Sequence, residues 1–198
     1  MNSYIKFAVI GCCSLIFTSC ATGSKDGEKQ KQTEQHVIDS EALIKEYMTM
    51  LKSELTSALK HAPPEDAINA CNQSAPVISA ALYEKYGWKI GRTSLKTRNQ
   101  SNAPDAWEKK ILDSFETRRT EGEPVQDLTH QETTNMDGKK TFRYMKAIPT
   151  MMLCLDCHGE NLSPKVQAKL NEVYPDDKAV NFKHGDIRGA FTISQDVE

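Results

Sequence analysis

Two cysteines three positions apart, followed at once by a histidine, constrain this chain more than any other feature of its sequence. The segment reads Cys154-Leu155-Asp156-Cys157-His158. At this spacing two thiols can reach the two vinyl groups of one porphyrin, and the adjacent imidazole can bind the iron from one face. The pattern predicts covalent attachment of a single haem c to Cys154 and Cys157, with His158 as an axial ligand.

Two other chemistries use cysteines at this spacing. The pair could form a disulfide or a redox-active dithiol, but such motifs normally lie at a strand-to-helix turn and need no following histidine. Cys154, Cys157 and His158 could instead bind zinc with a fourth ligand such as Cys71 or His184. A zinc site usually uses two well-separated pairs of ligands, so haem attachment is the favoured interpretation.

The N-terminus has the pattern of an export signal. Lys6 precedes an apolar run over Phe7–Phe17, and small residues follow up to Cys20. The run is shorter than the roughly 20 apolar residues of a membrane-spanning helix, which favours a secretory signal peptide over residues 1–19. The four residues FTSC that end at Cys20 are similar to a bacterial lipobox, and we predict that Cys20 is lipidated. A plain signal with an incidental cysteine is the alternative.

A lipid on Cys20 would hold the protein on a membrane of the periplasm or cell envelope. Residues 21–36 contain no large apolar side chain, so the segment 20–36 is predicted to be the lipid anchor and a flexible tether. The folded domain is then expected over residues 37–198. The net charge of −2 argues against a nucleic-acid partner, because nucleic-acid binders need a basic surface.

The repeat of apolar residues predicts two helices at the start of this domain. Ile44, Tyr47 and Leu51 recur at helical spacing and indicate a long helix over Val37–His61. Two prolines end that helix, and the next one is predicted to run until Gly87.

The rest of the chain alternates between strand-like and helix-like segments. The predicted elements are a strand over Trp88–Leu95, a helix from Asp105, a hairpin around Asp137-Gly138, a helix over Lys165–Val173 and a last strand with Ile187, Phe191 and Ile193 on one face. Asp-Gly between strand-like runs is a strong hairpin signal. Helices beside a small antiparallel sheet make the fold class α+β, with a long N-terminal helix, rather than a parallel α/β fold.

The ligand on the second face of the iron stays open from the residues alone. Helical spacing turns Cys71 inward on the second helix, where it could be a small buried residue or a thiolate ligand. Methionine and histidine are the common alternatives. The candidates of those types are Met48, Met50, Met136, Met145, His61, His130 and His184.

Three arginines are candidates to pair with haem propionates. Arg98 lies in a polar loop between predicted core elements, Arg92 lies in the predicted strand over Trp88–Leu95, and Arg188 follows Ile187 of the last strand. A guanidinium matches the geometry of a carboxylate, which favours this role. The alternative is an arginine exposed to solvent, or one that fastens a loop by hydrogen bonds.

Several segments, taken together, point to a known family. They are DAINAC (66–71), GRTSLKTRN (91–99), NAPDAWE (102–108), CLDCHG (154–159), YP (174–175) and GDIRGAF (185–191). Over roughly residues 40–195 the chain resembles the family of single-haem, c-type, PAS-like domains. The resemblance implies a PAS-like antiparallel sheet with flanking helices, haem on Cys154 and Cys157, and His158 and Cys71 as the two axial ligands.

This ligation indicates a function in electron exchange rather than catalysis. A thiolate ligand favours the ferric state, and two protein ligands leave no site for a substrate, so we expect no enzyme activity. The favoured function is an electron carrier that cycles between Fe(III) and Fe(II) with a redox partner that the sequence does not identify. The alternative is a redox or diatomic-gas sensor that signals to a separate protein, an interpretation based on analogy of fold.

Overall fold

A computed structural model describes residues 25–197, except for the side chains of residues 69–71. The helices in this range are α1 (Lys25–His61), α2 (Pro64–Tyr86), α3 (Ala106–Thr120), α4 (Leu155–His158) and α5 (Pro164–Val173). The strands are β1 (Lys89–Thr93), β2 (Thr129–Met136), β3 (Lys139–Pro149) and β4 (Ile187–Asp196). They form one antiparallel sheet in the order β1-β4-β3-β2. The predicted α+β class with a long N-terminal helix is confirmed.

Helix α1 begins much earlier than Val37, where the sequence predicted the domain to start. Residues 25–36 are helical, so the flexible tether predicted over 20–36 is wrong for these residues, and residues 20–24 lie outside the described range. Lysine, glutamate and glutamine are good helix formers. The side chain of His36 also packs against the rings of Trp88 and Phe142, with ring centroids 5.5 and 5.0 Å away. Propensity and packing together therefore extend the helix.

Helices α1 and α2 cover one face of the sheet. The core on this face consists of buried apolar residues from both helices and three strands, among them Leu43, Tyr47, Leu82, Phe142 and Phe191. The second helix ends where predicted, at Gly87, whose φ of 72° is a left-handed conformation that glycine adopts without strain.

Helix α3 covers the opposite face of the sheet. Asp105 caps its first turn, because its carboxylate accepts from the Glu108 backbone N–H while the Glu108 side chain accepts from the Asp105 N–H. The helix then buries Ile111 and Phe115 against Met145 of β3 and their neighbours. Both faces of the sheet are thus packed by helices.

The hairpin predicted around Asp137-Gly138 is confirmed. Strands β2 and β3 pair directly up to Met136 and Lys139. The two turn residues have φ values of 53° and 80°, and two consecutive positive φ values define the turn type that matches the twist of a hairpin.

Strand β4 contains a bulge that the sequence did not reveal. Ile148 pairs with Gly189, whereas the next residue, Pro149, pairs with Ile187, so Arg188 is the extra residue. Ile187 therefore packs on the α3 side, and Phe191 on the α1 side. The prediction that Ile187, Phe191 and Ile193 share one face is wrong for Ile187. None of the described helices has the combination of length and apolar character needed to cross a membrane.

Candidate functional site

The Cys-x-x-Cys-His segment follows β3 directly and is more ordered than the loop predicted from sequence. Cys154 ends a short 3-10 turn over Met152–Cys154, and Leu155–His158 forms the single turn of α4. Gly159 ends this turn, and a Cβ atom there would lie 2.5 Å from the Leu155 carbonyl oxygen. The tight exit from the turn thus requires glycine, and it fixes where His158 stands.

A second segment runs beside this turn, and we call residues 177–182 the strap. The Phe182 backbone N–H donates to the His158 carbonyl at 3.0 Å, and the Asn181 N–H donates to the Gly159 carbonyl at 3.1 Å. Asn181 has a φ of 61°, which asparagine tolerates better than most residues. These bonds hold the strap and the motif together as one unit.

The strap also orients the imidazole of His158. Nδ1 of His158 lies 2.7 Å from the carbonyl oxygen of Ala179. A carbonyl can only accept, so the proton is on Nδ1 and the lone pair is on Nε2. The Phe182 ring meets the imidazole edge-on, with centroids 6.3 Å apart. His158 is thereby prepared to bind a metal through Nε2.

The electrostatic environment keeps this imidazole neutral. Burial lowers the pKa of His158 well below its usual value, and the positive charges of Arg188, Arg98 and Arg92 lower it further. The hydrogen bond to Ala179 acts in the opposite direction. A neutral imidazole near pH 7 is the form that ligates iron.

Arg98 fastens the strap to the motif. Its Nε donates to Oδ2 of Asp177 at 3.0 Å, and its Nη2 donates to the carbonyl oxygens of Cys157 at 2.5 Å and of Ala179 at 3.3 Å. The structure therefore gives this guanidinium protein partners, as in the loop-fastening alternative considered for it.

Arg188, like Arg143 in the core, has unfilled hydrogen-bonding capacity. Its Nη1 makes long contacts of 3.4 Å to Ser94 Oγ and the Lys96 carbonyl, and its buried Nε has no partner in the described structure. Burial lowers the pKa of Arg188 to about 10, and the charges of Arg98 and Arg92 contribute to this decrease. The three arginines thus form a positive cluster beside His158.

Helix α2 reaches the motif from the other side. The Cys157 side chain packs against a small apolar cluster of Ile68 from α2 with Val166 and Leu170 from α5. Cys71 follows three residues after Ile68 on the same helix, and its side chain is outside the described set. Its role as a ligand stays a prediction, as does the lipidation of Cys20, which also lies outside the described residues.

Most of the other candidates for an axial ligand are engaged elsewhere. Met145 is fully buried beneath α3, and Met48 and Met50 pack against the core under α1. The His130 ring stacks near Trp107 at 5.8 Å, and His61 forms a hydrogen bond with the Ser57 carbonyl at the end of α1. Among the described residues, no three His, Cys, Asp or Glu side chains form a group that could hold a metal ion.

An exposed apolar run before the motif is a feature that the sequence reasoning missed. Met151, Met152 and Leu153 are large side chains that are 47%, 67% and 46% exposed. Three consecutive large apolar residues directly before the first cysteine are a signal that could have revealed it. A contiguous exposed apolar run of this kind is a candidate binding surface.

An antiparallel sheet packed between helices, with a Cys-x-x-Cys-His turn at its end, agrees with the family suggested by the sequence motifs. The family model described as Tll0287-like, Tll0287, matches residues 30–195, and the chain belongs to this family. The crystal structure of the cyanobacterial heme-protein Tll0287 has a similar fold, with a TM-score of 0.57 and 21% sequence identity. The similarity covers 85% of this chain and 96% of that chain. No curated protein matches the sequence.

Proposed function

We propose that the protein is an exported haem protein with one covalent haem c, and that it carries single electrons between protein partners. The orientation of His158 is the observation that carries this proposal. Its Nε2 is left available by the hydrogen bond from Nδ1 to Ala179, and the two cysteines are close together, Cys154 as the N-cap of α4 and Cys157 within α4. The family relationship to a heme-protein supports the choice of cofactor.

The surroundings of the motif fit a haem in two independent ways. The unpartnered Nε of Arg188 would pair with a propionate, an anion with the geometry that guanidinium prefers, and Arg92 adds positive charge near Arg188. The exposed run over residues 151–153 offers an apolar surface to a flat macrocycle. A disulfide or a dithiol would use neither feature.

Cys71 is our proposed second axial ligand. The support is that α2, which carries it, packs beside the motif through Ile68 and Cys157. When bound, the haem would supply one-electron exchange between ferric and ferrous iron, and a thiolate ligand from Cys71 would favour the ferric state. The haem would exchange single electrons with a donor and an acceptor protein, and the positive charge of Arg188 and Arg92 would balance the negative charge of the propionates.

We also propose that the protein works at a membrane of the cell envelope, attached through a lipid on Cys20. The support is the signal-like N-terminus that ends in a cysteine. Mass spectrometry of the mature protein tests this directly. An acylated Cys20 at the N-terminus is expected, whereas an N-terminus at any other residue would contradict the proposal.

The main test is an absorption spectrum after expression with a c-type maturation system. Haem that stays attached after denaturation is expected, and it should be lost in the double variant with Cys154→Ala and Cys157→Ala. The dithionite-reduced spectrum should not change with CO if two protein ligands are retained. A shift with CO would favour the sensor function instead, and a chain without haem would overturn the proposal.

A further inference from the structure

An ion pair between Arg98 and Asp177 lies behind the imidazole of His158. The two side chains are only 12% and 9% exposed, and Nε of Arg98 lies 3.0 Å from Oδ2 of Asp177. Pairs this deeply buried are rare unless their hydrogen-bonding capacity is used. Both members of this pair make further hydrogen bonds, and both bond to the backbone of the same residue.

That residue is Ala179. Its N–H donates to Oδ1 of Asp177 at 2.7 Å. Its carbonyl oxygen accepts from Nδ1 of His158 at 2.7 Å and from Nη2 of Arg98 at 3.3 Å. The Ala179 carbonyl that orients the imidazole of His158 is therefore shared with the Arg98 guanidinium. Asp177 holds that guanidinium in place and also accepts from the Ala179 N–H.

Sharing this carbonyl has a chemical consequence at the imidazole. A carbonyl that accepts from Nδ1 alone pulls the proton strongly and gives the ring more imidazolate character, which makes it a better donor to iron. A second donor to the same oxygen weakens that pull. Arg98 also donates to the Cys157 carbonyl at 2.5 Å, so its charge lies close to the attachment turn.

We propose that Arg98 and Asp177 are a positioning pair that acts through the Ala179 carbonyl to set the reduction potential of the bound haem. This inference rests on the proposed function. Arg98 raises the potential, because it weakens the donor strength of His158 and places a positive charge beside the iron site. Asp177 lowers it through its negative charge.

The two members predict shifts of opposite sign. Arg98→Gln removes the cation and releases the Ala179 carbonyl to His158, so both effects favour the ferric state and the potential falls. Asp177→Asn removes an anion, so the potential rises. A purely structural role would instead loosen the strap in both variants and shift the potential in the same direction.

The experiment is a redox titration of the haem-loaded wild type and variants. We expect the ferric-to-ferrous ratio at a fixed potential to change up to about tenfold in each direction, which corresponds to about 59 mV for one electron. Arg118→Gln is the matched control, because Arg118 pairs with Glu123 and the Thr129 carbonyl in the α3–β2 connection. It should leave the potential unchanged.

Two further measurements separate the effect of the hydrogen bonds of Arg98 from the effect of its charge. The Nδ1 proton of His158 should shift in the NMR spectrum of Arg98→Gln, because its acceptor is no longer shared. Arg98→Lys keeps the charge but not the fork-shaped contacts, so its potential should fall by less than that of Arg98→Gln. If Arg98→Gln does not take up haem, Arg98→Lys and Asp177→Asn still carry the test through the signs of their shifts.

The outcomes separate this inference from the proposed function. Shifts of the same sign in both variants, or none, would overturn the positioning role while wild-type haem binding stands. A wild-type chain that attaches no haem would overturn the proposed function itself.

Discussion

Two regions of the molecule, the core of the sheet and the surroundings of the Cys-x-x-Cys-His turn, differ in how completely their apolar side chains are covered. Around Phe115 and Tyr144 the side chains are fully buried and packed by helices on both faces. Around His158 a buried arginine nitrogen has no partner, and residues 151–153 stay exposed. The first region is covered by the protein's own apolar side chains, whereas the second leaves an apolar run exposed, which the proposed haem would cover.

The largest effect on the free energy of unfolding should come from a substitution in the packed core. Phe115→Ala removes a side chain with no exposure and should lower the free energy of unfolding by about 3–5 kcal/mol. Urea denaturation of the haem-free protein measures this. A comparable loss from Met152→Ala, whose side chain is mostly exposed, would contradict the difference in packing between the core and the surroundings of the motif.

A substitution of Arg188 should instead raise the free energy of unfolding. Arg188→Met removes a buried, partly unpartnered donor, and the haem-free protein should gain about 1–2 kcal/mol in the free energy of unfolding. The same variant should bind haem less firmly, because a propionate loses its cation. A variant that loses stability in both forms would show that Arg188 serves the fold rather than the ligand.

The stability of the haem-free protein should also depend on pH through His158. The folded state holds the pKa of His158 well below the usual 6.5, so the unfolded chain binds a proton first as the pH falls. The stability of the haem-free protein is thus unaffected by this group above about pH 6.5. Below that pH it should fall by no more than about 1.4 kcal/mol per pH unit. His158→Gln should remove this component, and an identical pH profile in that variant would contradict the shift.

The smallest effect should come from the contact that ties α1 to the sheet. The Tyr144 hydroxyl donates to the Glu41 carboxylate, which Lys146 also contacts at 2.7 Å. Tyr144→Phe should therefore lower the free energy of unfolding by about 1 kcal/mol. The loss should be small because Lys146 remains as a partner for Glu41. A decrease in the free energy of unfolding as large as that of Phe115→Ala would contradict this prediction.

Local signals predicted most of the fold. The turn at Asp137-Gly138 and the helix end at Gly87 each depend on a few adjacent residues with restricted backbone geometry, and both are confirmed. The bulge at Arg188 escaped prediction because a register shift depends on the partner strand. The helical state of residues 25–36 escaped because a polar composition suits both a tether and an exposed helix.

For the candidate site, the sequence revealed the Cys-x-x-Cys-His motif but not the hydrogen bonds that hold it in place. Cys154, Cys157 and His158 are adjacent and have a chemical meaning at that spacing. The partners of Arg98 are backbone carbonyl groups and a carboxylate about 60 to 80 positions away. No sequence pattern records which backbone oxygen a guanidinium will find, so the arginine could be predicted to matter but not to hold the strap.

The early start of α1 changes how far the domain can travel. If Cys20 carries the proposed lipid, the chain from there to Lys25 can span no more than about 18 Å. From Lys25 onward the chain is a rigid rod of 37 residues, about 55 Å long, which is itself built into the domain. A domain attached in this way would stay at a limited distance from the bilayer, because only these few residues could extend between the lipid and the helix.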